Sequence, residues 1–291
     1  MTVERSFVLK GFCPYDILGL YEEYGLDVGK HLRGDFCIEI QDGYRTVYIT
    51  DFAGTKSAGI LPRNSTIVVE DNKIVSTKSN IILTDLYYNP PQGTDKKDSY
   101  DDFFKAIDES VFFRGQDNPT IFLSCGHDSG SIVTGAIRND IEFSTLSYLG
   151  NEDIEILYKR LRLNKEYLHW KNADIITKDS ISENIPDSES HSIFAKNCKT
   201  NTALSGLGAD EMYTSTDYQL MQTFIKDAEV QYNKYNIEVR YPLLDPLVYK
   251  EYFYLNEKLR PKNPKKKSFK RYMDTIRYPV YGGYKKSLVV N

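Results

Sequence analysis

The chain is poor in cysteine and histidine, with four of each among 291 residues. Cys13, Cys37, Cys125 and Cys198 are scattered and form no CxxC pair. This pattern indicates reduced thiols and argues against a zinc site. The histidines lie far apart in the sequence, which argues against a His-rich metal centre as well.

Long apolar runs and an excess of basic charge are also missing. No run approaches the ~20 residues that a membrane-spanning helix requires, and the first residues lack the apolar stretch of a signal peptide. We therefore expect a cytoplasmic protein without a membrane segment. The formal net charge of −4 argues against a general nucleic-acid binder.

Positive charge is nevertheless concentrated late in the sequence. Residues 261–291 contain nine Lys and Arg residues against one acidic residue, Asp274. Such a segment can hold an anion such as a polyphosphate, or it can be a solvated surface of lysines.

The first third of the chain has the pattern of an antiparallel sheet with one helix. Apolar residues at helical spacing predict a helix that ends at Gly25. Alternating apolar residues and two Asp-containing turns predict two strand pairs. The helix is predicted at 15–24 and the strands at 35–41, 45–50, 65–70 and 73–76.

The pattern changes after the Pro/Gly-rich segment 89–93, which predicts a boundary between domains 1–95 and 96–291. Beyond it strands and helices alternate, which predicts a parallel sheet covered by helices. Ligands of such sheets lie at the carboxyl ends of the strands. Strands are predicted at 120–123, 142–147 and up to Leu204, and helices at 98–113, 129–138, 153–163 and near Ala209.

Residues 121–130 (IFLSCGHDSG) predict a strand, a loop of small residues and a helix. That geometry aims backbone N–H groups at a phosphate, and Ser124 and Ser129 add hydroxyl donors. Asp128 would repel a phosphate unless a cation lay between them, so it implies Mg²⁺. The loop is not a Walker A motif, and an ordinary strand–turn–helix remains the alternative.

A second segment of the same type is 203–211 (ALSGLGADE), with glycines and then acidic residues after a strand. Two such loops at the strand ends of one sheet can face each other across a nucleotide. Two further segments stand out later in the chain, 237–245 (IEVRYPLLD) and 265–271 (KKKSFKR).

Taken in order, these segments resemble the motifs of the asparagine synthetase family of PP-loop ATP pyrophosphatases. SCGHDS at 124–129 is similar to S-G-G-x-D-S, and SGLGADE at 205–211 matches S-G-x-G-x-D-E. EVRYPLLD at 238–245 matches E-x-R-x-P-[FL]-L-D, and Lys267 with Arg271 matches K-x-x-x-R. Segments 21–25, 32–36 and 51–56 resemble the later half of that family's glutaminase domain.

The resemblance implies an α/β fold in which an adenine nucleotide α-hydrolase-like synthetase domain follows a truncated glutamine-amidotransferase-like β domain. It also implies ATP-dependent, AMP-forming amide synthesis with Mg²⁺. A substrate carboxylate would attack the α-phosphorus of ATP, and an amine such as ammonia would then displace AMP from the acyl-adenylate.

The resemblance also implies roles for individual residues. Asp128 and Asp210 would hold Mg²⁺, and Lys267 and Arg271 would act in catalysis, although Lys267 can also be a solvated lysine. Glu238 would be a base for the amine or only the partner of Arg240, and Arg240 with Asp245 would hold a loop together. The residues expected to bind ATP are Leu123, Ser124, Gly126, Asp128, Ser129, Thr145, Ser205 and Gly206.

The chain departs from the family at several positions. Residue 2 is Thr where the family's glutaminase uses a terminal cysteine, so we expect no glutamine hydrolysis. The amine would be ammonia, another amine or the product of a separate subunit. Cys125 replaces a glycine, and Leu207 replaces a common glutamate, which puts aspartate as the substrate in doubt.

Two alternatives therefore stay open. One is a catalytically degenerate relative that binds a nucleotide or a partner protein. The other is a different adenylating PP-loop enzyme that modifies tRNA or closes a β-lactam or macrolactam ring. A homodimer is also left open.

Overall fold

A computed structural model of the chain describes residues 5–56, 61–80, 96–149, 152–177, 187–215, 218–261 and 266–280. Two five-stranded sheets organise these residues, one antiparallel and one parallel. The boundary predicted at 89–93 lies outside the described residues. None of the helices in the described ranges is long and apolar enough to cross a membrane.

The antiparallel sheet comes first and has its strands in sequence order. Alternate residues such as Ile38, Ile40 and Val47 point to one face, where they are fully buried against helix α1. Asp16 caps α1, since its carboxylate accepts the N–H of Gly19 at 3.1 Å. The elements are β1 (Arg5–Phe12), α1 (Ile17–Tyr24), a 3₁₀ segment (Gly25–Lys30), β2 (Asp35–Asp42), β3 (Arg45–Thr50), β4 (Ser65–Glu70) and β5 (Lys73–Ser79).

The parallel sheet has the strand order β10-β9-β6-β7-β8. Its strands are β6 (Thr120–Phe122), β7 (Phe143–Tyr148), β8 (Trp170–Ile176), β9 (Thr202–Leu204) and β10 (Glu238–Arg240). Its helices are α2 (Asp101–Arg114), α3 (His127–Arg138), α4 (Ile154–Asn164), α5 (Asp187–Asn197), α6 (Tyr218–Asn233), α7 (Pro246–Tyr254) and α8 (Lys267–Asp274).

A buried network of charged side chains joins the two halves. Arg114 ends α2 and is fully buried. Its Nε donates to Asp35 at the start of β2, and its Nη1 donates to Asp245, both at 2.6 Å. Arg33 also donates to Asp245, at 2.7 Å. The halves therefore meet through paired charges rather than through a loose surface contact.

The predicted α/β class, with an antiparallel sheet followed by a parallel sheet, is confirmed. The helix predicted near Ala209 is a short helical segment that widens into a π turn at Glu211–Ser215. The longer helix α6 begins only at Tyr218.

Candidate functional site

The order of the parallel strands creates a crevice at the carboxyl ends of the strands. From β6 the chain adds β7 and β8 on one side and then crosses over to add β9 and β10 on the other. The order therefore reverses between β6 and β9, which pair directly. Ligands of open α/β sheets bind at such reversal points, beyond the carboxyl ends of the strands.

The first loop in this crevice follows β6 and folds around its own serine hydroxyls. Ser129 Oγ accepts the N–H of Ser124 at 3.0 Å and lies 2.9 Å from Ser124 Oγ. Ser124 Oγ in turn accepts the N–H of Gly126 at 3.1 Å, immediately before α3 begins. Cys125 has no positive φ, so its replacement of the family's glycine introduces no left-handed strain.

The second loop follows β9 and comes unusually close to the first. A Cβ added to Gly206 would lie 2.7 Å from Asp128 Cβ and 3.2 Å from the backbone nitrogen of Ser129. Glycine at this position is therefore required by the approach of the two loops. Gly208 has a φ of +85°, which lets the chain turn towards Asp210.

Two carboxylates, one from each loop, converge on a single ammonium group. Lys266 Nζ lies 2.5 Å from Asp128 Oδ2 and 2.7 Å from Asp210 Oδ1. The Lys266 side chain is only 9% exposed, whereas that of Asp210 is 61% exposed. The Lys266 ammonium therefore lies at the inner side of the crevice, and the Asp210 side chain lies nearer the solvent.

The carboxylates of Asp128 and Asp210 keep the Lys266 side chain protonated. Burial lowers the pKa of the ammonium, but Asp128 and Asp210 outweigh burial and raise the pKa above its usual value. Lys266 adopts a left-handed conformation with φ of 62°, directly before α8. Non-glycine residues rarely take this conformation, and here it directs the side chain away from the helix and into the crevice.

The donor set also suits a divalent cation. Asp128 and Asp210 place carboxylate oxygens around one cation position, which the ammonium of Lys266 occupies. Mg²⁺ is commonly held by one or two carboxylates together with substrate phosphates, so it would have to displace this ammonium. Within the described part of the chain, no cluster of three or more His, Cys, Asp or Glu side chains forms a metal cage.

Arg160 supports the first loop from behind and was missed by the sequence interpretation. This residue of α4 is fully buried. Its Nη1 donates to the carbonyl oxygens of Ser124 and, at 2.9 Å, of Gly126. Its Nε donates to the carbonyl of Pro279 at 2.9 Å. By holding these carbonyls, the guanidinium fixes the orientation of the loop.

Glu152 is a second contributor that the motifs do not include. Its Oε2 accepts the N–H of Cys125 at 2.5 Å. An N–H of the first loop thus already binds a carboxylate. This contact fixes the loop at Cys125 and satisfies its N–H within the protein.

His127 begins α3 and stays neutral at pH 7. Burial, together with the nearby charges of Lys266 and Arg160, lowers its pKa to about 4. The imidazole therefore offers the crevice hydrogen-bonding groups without adding a charge.

Most residues predicted to bind ATP or Mg²⁺ lie in or directly beside the crevice. Leu123 is buried at the end of β6, where its N–H donates to Leu146 at 2.9 Å. Thr145 is buried in the middle of β7, with its Oγ1 3.5 Å from the carbonyl of Asn172. These two residues lie in the sheet, whereas the crevice itself contains Ser124, Gly126, Asp128, Ser129, Ser205, Gly206 and Asp210.

The predicted catalytic residues are placed differently. Lys266, not Lys267, contacts the two carboxylates, because the left-handed turn at Lys266 precedes the helix that begins at Lys267. Arg271 is 58% exposed and lies 3.9 Å from Asp274. No described contact brings Lys267 or Arg271 to the crevice.

Glu238 lies towards the amino ends of the parallel strands, on the side away from the crevice. It starts β10 level with Thr202, whereas the second loop begins after Leu204. Its carboxylate accepts from Arg240 Nε at 2.6 Å. Of the two roles considered for Glu238, this contact supports the partner of Arg240, and a role as base stays a prediction.

Comparison of the chain with protein-family models and with curated proteins finds no significant match.

Proposed function

We propose that the protein is a PP-loop synthetase that activates a carboxylate with ATP and converts it to an amide. The observation that carries this proposal is the meeting of two small-residue loops at the reversal point of the parallel sheet. Each loop contributes one aspartate to a common cation position. Anions bind to the backbone N–H groups of helix N-termini, and α3 begins at His127, directly after the first loop.

The reaction suits this arrangement because it needs positioning and charge screening more than a strong acid or base. The substrate carboxylate attacks the α-phosphorus of ATP, and the bond to the bridging oxygen of pyrophosphate breaks. An amine then attacks the acyl carbon of the adenylate, and AMP leaves. When bound, Mg²⁺ would screen the negative charge of the leaving pyrophosphate.

The residues of the chain would divide this work. Ser124, Gly126 and Ser129 would bind the phosphates, and Asp128 with Asp210 would hold Mg²⁺. Lys266 is the lysine that reaches these groups, and its ammonium, once Mg²⁺ displaces it from the two carboxylates, would meet negative charge that develops near them. The finer assignment, a PP-loop domain after a truncated glutaminase-like domain, rests on the sequence resemblance described above.

One observation favours a second candidate, a relative that binds a nucleotide without turnover. Leu207 stands where the family commonly has a glutamate, and its side chain packs against the core. It thus offers no polar group to an amino-acid substrate.

The test is pyrophosphate release from MgATP with a panel of carboxylates, aspartate first, with and without ammonium. We expect release that depends on one carboxylate. ATP binding without release from any of them would support the second candidate, and failure to bind ATP would contradict both.

Two variants of the site make this test specific. Asp128→Asn and Lys266→Met should each reduce pyrophosphate release about 10²-fold, the usual effect of removing a group that stabilises developing charge. Asp101→Asn is a matched control, since Asp101 is exposed in the first turn of α2. Equal activity in Asp128→Asn and the control would contradict the role of Asp128.

A further inference from the structure

A cavity of about 460 Å³ lies where the two halves meet. Its walls come from β1, from the residues that follow β3, from α6 and from the start of β10. We call it the junction cavity, lined among others by Lys10, Lys56, Lys226, Glu229, Asn233 and Glu238. It is separate from the crevice, because Glu238 begins β10 whereas the crevice loops follow the last residues of their strands.

The cavity contains a buried ion pair that the proposed reaction does not use. Lys56 Nζ donates to Glu229 Oε1 and to the carbonyl of Val239, both at 2.6 Å. The Lys56 and Glu229 side chains are 5% and 9% exposed. Tyr241 donates to the same Glu229 oxygen at 2.8 Å. Burying such a pair carries a large desolvation penalty, which these hydrogen bonds offset in part.

The backbone of β1 is shaped to admit Lys56. Gly11 lines the cavity and has a φ of +86°. A Cβ at this position would lie 2.7 Å from Lys56 Cγ and 2.2 Å from the carbonyl oxygen of Asp35. Only glycine fits at this position of β1, where the strand passes close to the Lys56 side chain.

The lining has an excess of positive charge. Glu229 is paired with Lys56, and Glu238 is paired with Arg240 at 2.6 Å. Lys10 and Lys226 are exposed on β1 and α6, and neither has a carboxylate partner among the described residues. The Lys56 ammonium has three N–H donors, and its two hydrogen bonds use two of them, while the ammonium also lies 5.5 Å from the centre of the Tyr241 ring.

We propose that the junction cavity binds a small dianion, either a dicarboxylate or a phosphate monoester. Its acid groups would meet Lys10 and Lys226 and the remaining donor of Lys56, and the side-chain amide of Asn233 would add a hydrogen bond. The cavity volume matches the lower part of the range for small-molecule sites. This site is additional to the nucleotide crevice and does not depend on the proposed reaction.

The test is calorimetric titration of the full chain with succinate and with glycerol phosphate at constant ionic strength. We expect saturable binding of at least one of them to the wild-type protein. The Lys10→Gln/Lys226→Gln double variant should bind about tenfold more weakly, a loss of ~1.4 kcal/mol. Both lysines are exposed, so the thermal unfolding midpoint should stay unchanged.

A Lys105→Gln/Lys159→Gln double variant is the matched control, because it removes the same charge from exposed lysines on α2 and α4. It should bind like the wild type. The proposal is overturned if neither probe binds, or if the Lys10/Lys226 variant binds as well as the wild type. Equal weakening in both double variants would also overturn it, since net charge alone would then explain binding. The tighter of the two probes identifies the ligand class.

Discussion

The ammonium of Lys266 lies between two carboxylates and reduces their repulsion across the crevice. Asp128 comes from the loop after β6 and Asp210 from the loop after β9, so this one side chain links both loops to the start of α8. Removal of a buried charge leaves its partners uncompensated, which is the costly part of breaking a buried pair.

We predict that Lys266→Met lowers the free energy of unfolding by about 1–3 kcal/mol, measured by urea denaturation. Lys267→Met should change it by no more than about 0.5 kcal/mol, because no described contact ties Lys267 to a carboxylate. A larger loss for Lys267→Met than for Lys266→Met would contradict the arrangement described above.

His127 should make stability depend on pH. Its pKa is about 4 in the folded protein and about 6.5 when exposed, so the unfolded chain takes up the proton first as the pH falls. Stability is therefore lost as the pH drops from 6.5 towards 4. His127→Gln should reduce the loss between pH 7 and pH 5 by about 2 kcal/mol. Identical pH profiles for the two proteins would contradict this assignment.

The residues that belong to local motifs could be predicted, and those that act from elsewhere could not. Ser124, Asp128 and Gly206 stand out because strand, glycine and acidic residue follow one another in the chain. Arg160 and Glu152 reach the first loop from 36 and 27 positions away, and no spacing rule connects them to it. Within the Lys-rich run before α8, the backbone conformation at Lys266 decides which lysine side chain enters the crevice, and the sequence does not reveal that conformation.

At the scale of secondary-structure elements, α4 acts as the support of the first loop. Gly130 in α3 allows this, because a Cβ there would lie 2.8 Å from Arg160 Nη2 and 2.4 Å from Met273 Cε. Three elements therefore pack around one guanidinium, which holds two loop carbonyls in a fixed geometry.

We predict that Arg160→Lys lowers the free energy of unfolding by at least about 2 kcal/mol, since a lysine cannot reproduce the hydrogen bonds of the planar guanidinium. It should also weaken ATP binding. Arg162→Lys, an exposed residue of the same helix, is the control and should match the wild type in urea denaturation and in nucleotide titration. If both variants behaved alike, the support of the loop by Arg160 would be refuted.

Elements with a regular apolar period were predictable from the sequence. Strands β3 and β4 match the predicted ranges, and α4 begins directly after its cap Asp153. Strand β8 was missed, since most residues of Trp170–Ile176 are only partly buried or exposed. The short β10 was missed as a strand because two of its three residues, Glu238 and Arg240, are charged, whereas the equally short β6 and β9 contain no charged residue.

At the scale of the whole molecule, Arg114 is the residue that holds the two halves together. It pairs with Asp35 of the antiparallel sheet and with Asp245, which caps α7 by accepting the N–H of Leu247 at 2.8 Å. Both carboxylates are almost fully buried. Without the arginine, Asp35 would lose its guanidinium partner, whereas Asp245 would keep Arg33 as a cationic partner.

We predict that Arg114→Met destabilises the protein by about 3–5 kcal/mol, the usual result of removing one partner from a buried pair. Arg162→Met removes an exposed arginine and should change stability by no more than about 0.5 kcal/mol. Thermal unfolding of the full chain measures both, and a small effect of Arg114→Met would show that the network does not couple the halves.

The contact between Arg33 and Asp245 joins residues that are 212 positions apart. At synthesis rates of about 5–20 residues per second, Asp245 is made roughly 10–40 s after Arg33. During that interval Arg33 lacks the carboxylate that it pairs with in the folded protein. The Arg33–Asp245 contact can therefore form only after most of the chain has been made.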